Sequence, residues 1–113
     1  MTKGKVVLVP FPFDDLSASK VRPAICLTEP IGPYRHVVMA FLTSSIPNPL
    51  LATDIAVNIS QSDAIEMGLH VSSTIRLHRL LTLSKSVILR ELGSLSPRMQ
   101  EEVSEKLRQL FDL

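Results

Sequence analysis

Cysteine, glycine and aromatic residues are all scarce in this chain of 113 residues. The single cysteine, Cys26, has no partner in the chain and lies in an apolar run, so we expect a buried thiol and no intramolecular disulfide. The four glycines are scattered, which argues against a glycine-rich phosphate loop and therefore against binding of ATP or a dinucleotide. Four phenylalanines, one tyrosine and no tryptophan argue against an aromatic platform on which bases stack.

The sequence also has no pattern of metal ligands and no dominant charge. The histidines His36, His70 and His78 do not stand at metal-ligand spacing, so we expect no metal and no other cofactor. The formal net charge is +1, which allows nucleic-acid binding but does not indicate it. The N-terminal residues lead directly into an apolar run too short to span a bilayer. We therefore expect no signal peptide, no membrane association and a cytoplasmic location.

The apolar pattern predicts a mainly β protein that ends in an α-helix. Short β-branched or alternating runs predict strands at Lys5–Val9, Arg22–Thr28, His36–Leu42, Asp54–Ile59, Ser73–Leu80 and Val87–Leu92. Ser62–Met67 predicts a short helix, and Gly93 is expected to end the last strand. Ser96 and Pro97 suit the N-cap and first residue of an amphipathic final helix. We expect one domain over residues 1–113, built as a small barrel or a sheet curled on itself.

A polar stretch between the first two predicted strands leads to one arginine. Residues 13 to 20 are rich in Asp and Ser, which predicts a loop, and Pro12 and Pro23 restrict the backbone beside it. Arg22 stands directly before Pro23 and an apolar run, where a permanently charged group needs an anion or a carboxylate. The alternatives are a surface salt bridge or a hydrogen bond that anchors the loop, and this stretch alone leaves them open.

Cationic and hydroxyl side chains form a constellation that suits a phosphate. Besides Arg22, the hydroxyls of Thr43-Ser44-Ser45 follow the third predicted strand, and Arg76 and His78 are expected to face the same way on a later strand. The same alternation puts three side chains on the opposite face: Ile75, Leu77 and Arg79. Guanidinium and hydroxyl groups bind phosphoryl oxygens well. The alternatives are ordinary turn hydroxyls, an exposed strand arginine and a histidine satisfied at an interface.

RNA would suit such a site because its own 2′-hydroxyl can attack the adjacent phosphodiester without a metal. The protein then needs to stabilise charge at phosphorus and to transfer protons at each end. His78 could act as the base or the acid, since histidine changes its charge near neutral pH.

Several sequence blocks occur in an order that is found in a known family. The most specific block is Gly4-Lys5-Val6-Val7-Leu8-Val9-Pro10-Phe11-Pro12-Phe13-Asp14-Asp15-Leu16, continued by Lys20-Val21-Arg22-Pro23-Ala24-Ile25. Weaker blocks follow at Phe41-Leu42-Thr43-Ser44-Ser45-Ile46, Thr74-Ile75-Arg76-Leu77, Leu81-Thr82-Leu83-Ser84-Lys85 and Glu91-Leu92-Gly93-Ser94-Leu95-Ser96. Together these blocks resemble the PemK/MazF family of toxins over nearly the whole chain.

The resemblance implies a fold, an activity and partners. It implies an SH3-like small barrel with a C-terminal helix, usually a homodimer. It implies a metal-independent, sequence-selective endoribonuclease that cuts single-stranded RNA such as mRNA and leaves a 2′,3′-cyclic phosphate. It also implies a cognate antitoxin protein whose disordered tail covers the RNA site.

The resemblance also implies catalytic positions. Arg22 matches the family's arginine before Pro-Ala, which stabilises charge on the scissile phosphate, and Thr43 matches the hydroxyl that works beside it. Arg76 falls where some members have a second catalytic arginine. The sequence departs from the family at two positions that concern proton transfer. Val21 stands where some members have a histidine, and His78 stands near a position where relatives often have an acidic residue or its amide. A catalytic role of His78 is therefore our own interpretation. RNA is expected to contact five further side chains: Phe13, Lys20, Ser44, Ser45 and Arg79.

Two non-catalytic hypotheses stay open. Gyrase-poisoning toxins use the same barrel but act through a C-terminal tail, whereas Phe111-Asp112-Leu113 directly finish the predicted helix. A degenerate member that binds RNA or its antitoxin without cutting is the other hypothesis. Val21 and the low net charge support it, and Arg22 and Thr43 oppose it.

Overall fold

The computed structural model describes the backbone of residues 1–15 and 18–113 and the side chains of residues 1–11 and 20–113. Strands and α-helices occupy these described residues in the following order: β1 Lys5–Asp15, β2 Ala18–Cys26, β3 His36–Thr43, β4 Asp54–Val57, α1 Ser62–Met67, β5 Ser73–Ser84, β6 Arg90–Ser94 and α2 Pro97–Phe111. A short 3₁₀ helix, Lys85–Val87, lies between β5 and β6.

The strands form one antiparallel sheet in the order β4-β5-β3-β2-β1-β6. Val6, Ile25 and Ala40 are cross-strand neighbours on one face, where they are buried with residues of α1 and α2. The other face buries a second cluster: Val7, Val9, Phe11, Ala24, Cys26, Val37, Met39 and Phe41. These eight residues come from β1, β2 and β3, and Leu81, Leu83 and Ile88 pack against them. Phe11 of β1 contacts Phe41 of β3 across the intervening β2, which agrees with a sheet curled as in a small barrel. The predicted curled sheet with a C-terminal helix is confirmed.

Both predicted helices are also confirmed. The Ser96 side chain accepts a hydrogen bond from the backbone N–H of Met99 at 3.2 Å, and Pro97 is the first helical residue of α2. The Ser96 hydroxyl donates in turn to Asp63 of α1 at 3.1 Å, and Arg98 forms an ion pair with the same carboxylate. Capping therefore also ties the start of α2 to α1.

The hairpin of β1 and β2 is longer than the sequence predicts. Phe11 pairs with Lys20 and Asp15 with Ala18, so the described residues of the expected loop at 13 to 20 have strand backbone. Residues 16 and 17 lie outside the described part of the chain. Asp and Ser have a low propensity for strands, and the sequence prediction considered only this propensity. Pairing with the neighbouring strand outweighs it.

Gly93 lies inside β6 rather than at its end, which corrects the prediction. A Cβ atom at Gly93 would lie 2.2 Å from the carbonyl oxygen of Glu66 and 2.6 Å from the carbonyl carbon of Met67. A Cβ atom at Gly68, the C-cap of α1, would lie 2.1 Å from the carbonyl oxygen of Leu92. The two glycines therefore allow the end of α1 to pack directly on the backbone of β6.

The predicted alternation along β5 is wrong at Arg79. Residues 77–79 have no counterpart on β3, because Phe41 pairs with Arg76 while the adjacent Ala40 pairs with Leu80. Such a bulge, in which one strand has extra residues, changes which face of the sheet the following side chains point to. Leu77 is buried on the same face as Val6 and Ile25, but Arg79 lies against Phe11 of the second cluster.

Within the described residues, no helix is both long enough and apolar enough to cross a membrane.

Replacing Gly93 with alanine tests the close approach of α1 to β6. We expect the free energy of unfolding of Gly93→Ala to fall by about 3 kcal/mol, because the methyl group overlaps backbone that cannot move independently. Gly32→Ala is the control. Gly32 has a φ of +74°, but apart from its chain neighbours no described atom lies within 4 Å of a Cβ added there. It is expected to lose only about 1 kcal/mol. Urea unfolding measures both variants, and equal losses would contradict the packing argument.

Candidate active site

Neighbouring strands bring candidate site residues to one face of the sheet. Lys20 lies opposite Phe11 in the β1–β2 pair, and Arg22 is two residues further along β2, so the three side chains point to the same face. On the next strand, β3 contributes Phe41 of the second cluster and, two residues later, Thr43. The register of the central strands therefore assembles this region.

A buried phenylalanine organises the charges here. Phe11 packs edge-to-face on Phe41, with ring centroids 4.7 Å apart and planes at 88°. The guanidinium carbons of Arg22 and Arg79 lie 5.8 Å and 5.4 Å from the centroid of the Phe11 ring. Both distances lie within the range of cation–π attraction. One ring thus holds two arginines from different strands in the same place.

The hydroxyl of Thr43 is held by the turn that follows β3. Its oxygen accepts a hydrogen bond from the backbone N–H of Ser45 at 3.3 Å and lies 3.0 Å from the Ser45 hydroxyl oxygen. The buried Thr74 on β5 fixes this turn by donating its hydroxyl proton to the Ser45 carbonyl at 3.1 Å. When the Ser45 hydroxyl donates to Thr43, the Thr43 proton points to a further acceptor. Ser45 therefore orients Thr43.

These side chains line a pocket of about 80 Å³: Phe11, Arg22, Phe41, Leu42, Thr43 and Arg79. Its polar groups are two guanidinium groups and a hydroxyl, a combination that favours an anion such as a phosphate. Of the predicted catalytic residues, the structure brings Arg22 and Thr43 together. Arg79, predicted only as an RNA contact, joins them.

The other predicted RNA contacts have different positions. Lys20 is exposed on the same face as Phe11. Ser44 is exposed and lines a separate groove on the other side of Arg22. The side chain of Phe13 lies outside the described residues.

Arg76 does not line the pocket. Its Nε donates to Oδ1 of Asp54 at 3.0 Å, and the Asp54 side chain is fully buried. The other carboxylate oxygen of Asp54 accepts from the backbone N–H of Leu51 at 2.9 Å. Removing one partner of a buried ion pair leaves an uncompensated charge, so this geometry favours a structural role for Arg76.

His78 is exposed next to Arg79, in the bulge of β5, and it does not line the pocket either. Its role in proton transfer stays a prediction.

The remaining reactive groups have ordinary explanations. Among the described residues, no three His, Cys, Asp or Glu side chains are grouped so that they could hold a metal ion. Cys26 is buried in the second cluster. The pKa of its thiol is raised from 9.0 to about 11, mainly because the thiol is buried and secondarily because of the negative charges of Glu29 and Glu91. At neutral pH the thiol stays protonated and is a poor nucleophile.

Sequence reasoning missed the two aromatic residues of the pocket. Phe11 continues the alternation of Val7 and Val9, which indicates that it shares their face, but this pattern does not mark it as part of a site. Its contact with Phe41 joins strands that are not neighbours in the sheet. No local pattern predicts such a contact.

A family model of PemK-like, MazF-like toxins of type II toxin–antitoxin systems matches residues 2–111. The chain belongs to this family. The match includes every strand and both helices of this toxin, and it confirms the resemblance drawn from the sequence blocks. A comparison with curated proteins finds no significant match.

Solved structures of PemK/MazF toxins share the fold at low sequence identity. The Mycobacterium tuberculosis toxin MazF-mt6 is 23% identical, with a TM-score of 0.73 over 96% of this chain and 97% of that one. A mycobacterial endoribonuclease in complex with its cognate antitoxin is 17% identical, with a TM-score of 0.73 over 100% and 96%. A MazE–MazF structure from Deinococcus radiodurans is 18% identical, with a TM-score of 0.68 over 100% and 97%. These likenesses confirm the fold.

The two arginines of β5 are expected to respond differently to replacement by alanine. Arg76→Ala leaves the buried Asp54 carboxylate without its arginine, so the free energy of unfolding should fall by roughly 3 kcal/mol. Arg79→Ala removes an exposed cation near Arg22 and should change stability by less than about 1 kcal/mol. Urea unfolding followed by circular dichroism compares the two variants. A stable Arg76→Ala protein would contradict the structural role of the ion pair.

Proposed function

We propose that this toxin is a metal-independent endoribonuclease that cleaves single-stranded RNA, with mRNA as its substrate in the cell. The observation that carries the proposal is the placement of Arg22, Arg79 and Thr43 around the buried ring of Phe11. Membership in a toxin family supports the proposal, although a fold alone does not determine an activity.

The proposed reaction is an attack within the RNA. The 2′-oxygen of one nucleotide forms a bond to the adjacent phosphorus, and the bond from phosphorus to the 5′-oxygen of the next nucleotide breaks. One proton leaves the 2′-hydroxyl and one reaches the departing 5′-oxygen, giving a 2′,3′-cyclic phosphate and a 5′-hydroxyl. No metal and no oxidant are required.

The pocket residues supply charge stabilisation in this reaction. Negative charge builds on the non-bridging phosphate oxygens as phosphorus becomes five-coordinate, and preorganised cations stabilise it. Arg22 and Arg79 take this role, and the Thr43 hydroxyl donates to one of the same oxygens. Lys20 contacts a neighbouring phosphate. His78 is our candidate for proton transfer, and Arg76 remains a predicted supporting residue.

A cleavage assay with arginine variants tests the proposal. Purified protein is incubated with a long unstructured RNA in the presence of EDTA, and the new RNA ends are sequenced. We expect recurrent cuts, and we expect Arg22→Ala and Arg79→Ala each to lower the rate by about 100-fold or more, because each removes a group that stabilises the transition state. Arg108→Ala is the matched control, since it removes an exposed arginine that forms an ion pair with Glu105 of the same helix, α2.

Two outcomes would contradict parts of this proposal. A fully active Arg22→Ala protein would overturn the assignment of the pocket. A folded wild-type protein that leaves RNA intact would favour the non-catalytic alternatives, and cleavage of gyrase-bound DNA provoked by the pure protein would then identify a gyrase poison.

A groove on the other side of Arg22 supports a protein partner. It has a volume of about 250 Å³ and shares Arg22 and Leu42 with the pocket. Val21 and Val71 line it although 47% and 54% of their surface is exposed. Exposed apolar side chains at a groove are typical of a protein-binding surface.

We infer that a segment of a cognate antitoxin occupies this groove and thereby masks Arg22. One of the similar structures is an endoribonuclease in complex with its cognate antitoxin, which agrees with this inference. We also infer a homodimer, because β6 is an edge strand of the sheet and Leu89, just before it, is 59% exposed. Both partners and the RNA substrate imply action in the cytoplasm.

Light scattering tests the partner proposals. At micromolar concentration we expect twice the mass of one 12.5 kDa chain, and a larger complex after addition of the antitoxin. Val71→Asp should keep the dimer mass but weaken antitoxin binding roughly tenfold, because it puts a charge into an apolar contact. Ile65→Asp is the control, since Ile65 is 78% exposed on α1 and does not line the groove. A monomeric mass, or equal antitoxin binding by both variants, would contradict the respective proposal.

A further inference from the structure

A hydrogen-bonded turn, residues 31–36, leads into the N-terminal end of β3, whereas Thr43 lies at the C-terminal end of that strand. Ile31 and His36 exchange two backbone hydrogen bonds of 2.8 and 3.0 Å, and the N–H of Arg35 donates to the carbonyl of Gly32 at 3.1 Å. The end of β5 and the 3₁₀ helix that follows it hold the turn from the side. The Ser84 hydroxyl donates to the Tyr34 carbonyl, and the backbone N–H of Lys85 donates to the carbonyl of Arg35. The backbone is therefore anchored at both ends and in the middle.

This anchored turn presents an aromatic side chain to solvent. Tyr34 is the only tyrosine of the chain, and 74% of its surface is exposed. Its ring stacks on His36, with centroids 6.0 Å apart and planes at 28°. Arg35 adopts a φ of +54°, a left-handed conformation that costs free energy in a residue with a Cβ atom. Burial of Tyr34 does not offset this cost, because the ring is exposed.

Cations surround the exposed ring. Tyr34 lines an open depression of about 420 Å³ together with Pro33, Arg35, Ser84, Lys85 and Ser86. Arg35 and Lys85 are exposed there, and none of the described side chains that line the depression is acidic. Glu29 senses the charge of Lys85, but its carboxylate is held by the backbone N–H groups of Thr2 and Lys3, which are the main cause of its lowered pKa. The described lining of the depression is therefore cationic.

We propose that the Tyr34–His36 stack, with Arg35 and Lys85 beside it, is an accessory site for single-stranded RNA outside the cleavage pocket. An unpaired base stacks on the exposed Tyr34 ring, and the two cations contact its flanking phosphates. Bases and phosphates alternate along single-stranded RNA, and this site offers an exposed ring for a base next to cations for the phosphates. The described lining has two cations and no Val, Ile, Leu or Met side chain, which favours RNA over an apolar peptide segment.

The distance to the pocket makes this a separate site. β3 runs from His36 to Thr43, so at about 3.3 Å per residue the two sites lie roughly 20 Å apart along the strand. An RNA that occupies both sites spans several nucleotides, and the accessory site then adds affinity for longer substrates. The scarcity of aromatic residues argues against an extended stacking platform, and this site needs only one ring. The inference rests on the proposed RNA substrate.

Binding of an uncleavable RNA tests the accessory site separately from cleavage. The probe is a fluorescein-labelled 2′-O-methyl RNA of about twelve unpaired nucleotides, within the range of known single-strand sites. Its 2′-oxygen carries no proton and cannot attack, so fluorescence anisotropy reports binding alone. Tyr34→Ala should weaken binding by about fivefold or more, the usual effect of losing one stacked base. Tyr34→Phe should keep wild-type affinity, because the ring remains.

The controls separate this effect from general changes. Phe111→Ala removes another exposed aromatic ring, at the end of α2, and should bind RNA like the wild type. Lys85→Ala should reduce the slope of log affinity against log salt concentration by about 1, the value expected for the loss of one phosphate contact. Circular dichroism checks that each variant is folded, which is expected because Tyr34 is exposed.

The possible outcomes distinguish this inference from the proposed cleavage. If wild-type protein cuts ordinary RNA but Tyr34→Ala binds the probe like the wild type, the accessory site is wrong and the nuclease stands. If no RNA is cut but Tyr34→Ala weakens probe binding, the accessory site stands and the nuclease is wrong. A Tyr34→Ala protein that keeps RNA affinity but loses antitoxin affinity would assign this surface to a protein partner and overturn the inference.

Discussion

The edge-to-face contact of Phe11 with Phe41 is the interaction on which the candidate site depends. The two rings come from β1 and β3, which are separated by β2 in the sheet, so they meet because the sheet curls. The same contact fixes the ring that Arg22 and Arg79 approach. In water two guanidinium groups repel each other, and a buried ring beside both offsets part of that repulsion. The hydrophobic core thus continues directly into the charged pocket, and packing and electrostatics cannot be changed independently there.

Arginines of this toxin serve different physical purposes although their chemistry is the same. Arg76 faces the buried carboxylate of Asp54, which neutralises it within the fold. Arg79, three residues later, is turned by the bulge towards the pocket, which it lines together with Arg22 and Thr43. A net charge of +1 conceals this arrangement, because basic and acidic side chains balance over the whole chain but not locally. In our proposal, the local placement of charge rather than its total governs the affinity of this site for a phosphate.

β3 connects the surfaces that we assign to RNA and to protein partners. Thr43 and the pocket lie at its C-terminal end, and the anchored turn of Tyr34 lies before its first residue. The apolar groove adjoins the pocket through Arg22. A partner segment in that groove contacts the same arginine that a phosphate contacts, so in our proposal inhibition follows from competition for one side chain and requires no change of fold.

Local patterns by themselves determined much of this protein. Alternating apolar residues predicted the strands, Ser96 and Pro97 predicted the start of α2, and ordered sequence blocks identified the family and singled out Arg22 and Thr43. The tertiary structure decided the rest. It extended the β1–β2 hairpin through polar residues, turned Arg79 into the pocket and directed Arg76 to Asp54. The physical reason is that strand length, bulges and side-chain partners depend on pairing between distant segments, and the residues of one segment do not encode its register with another.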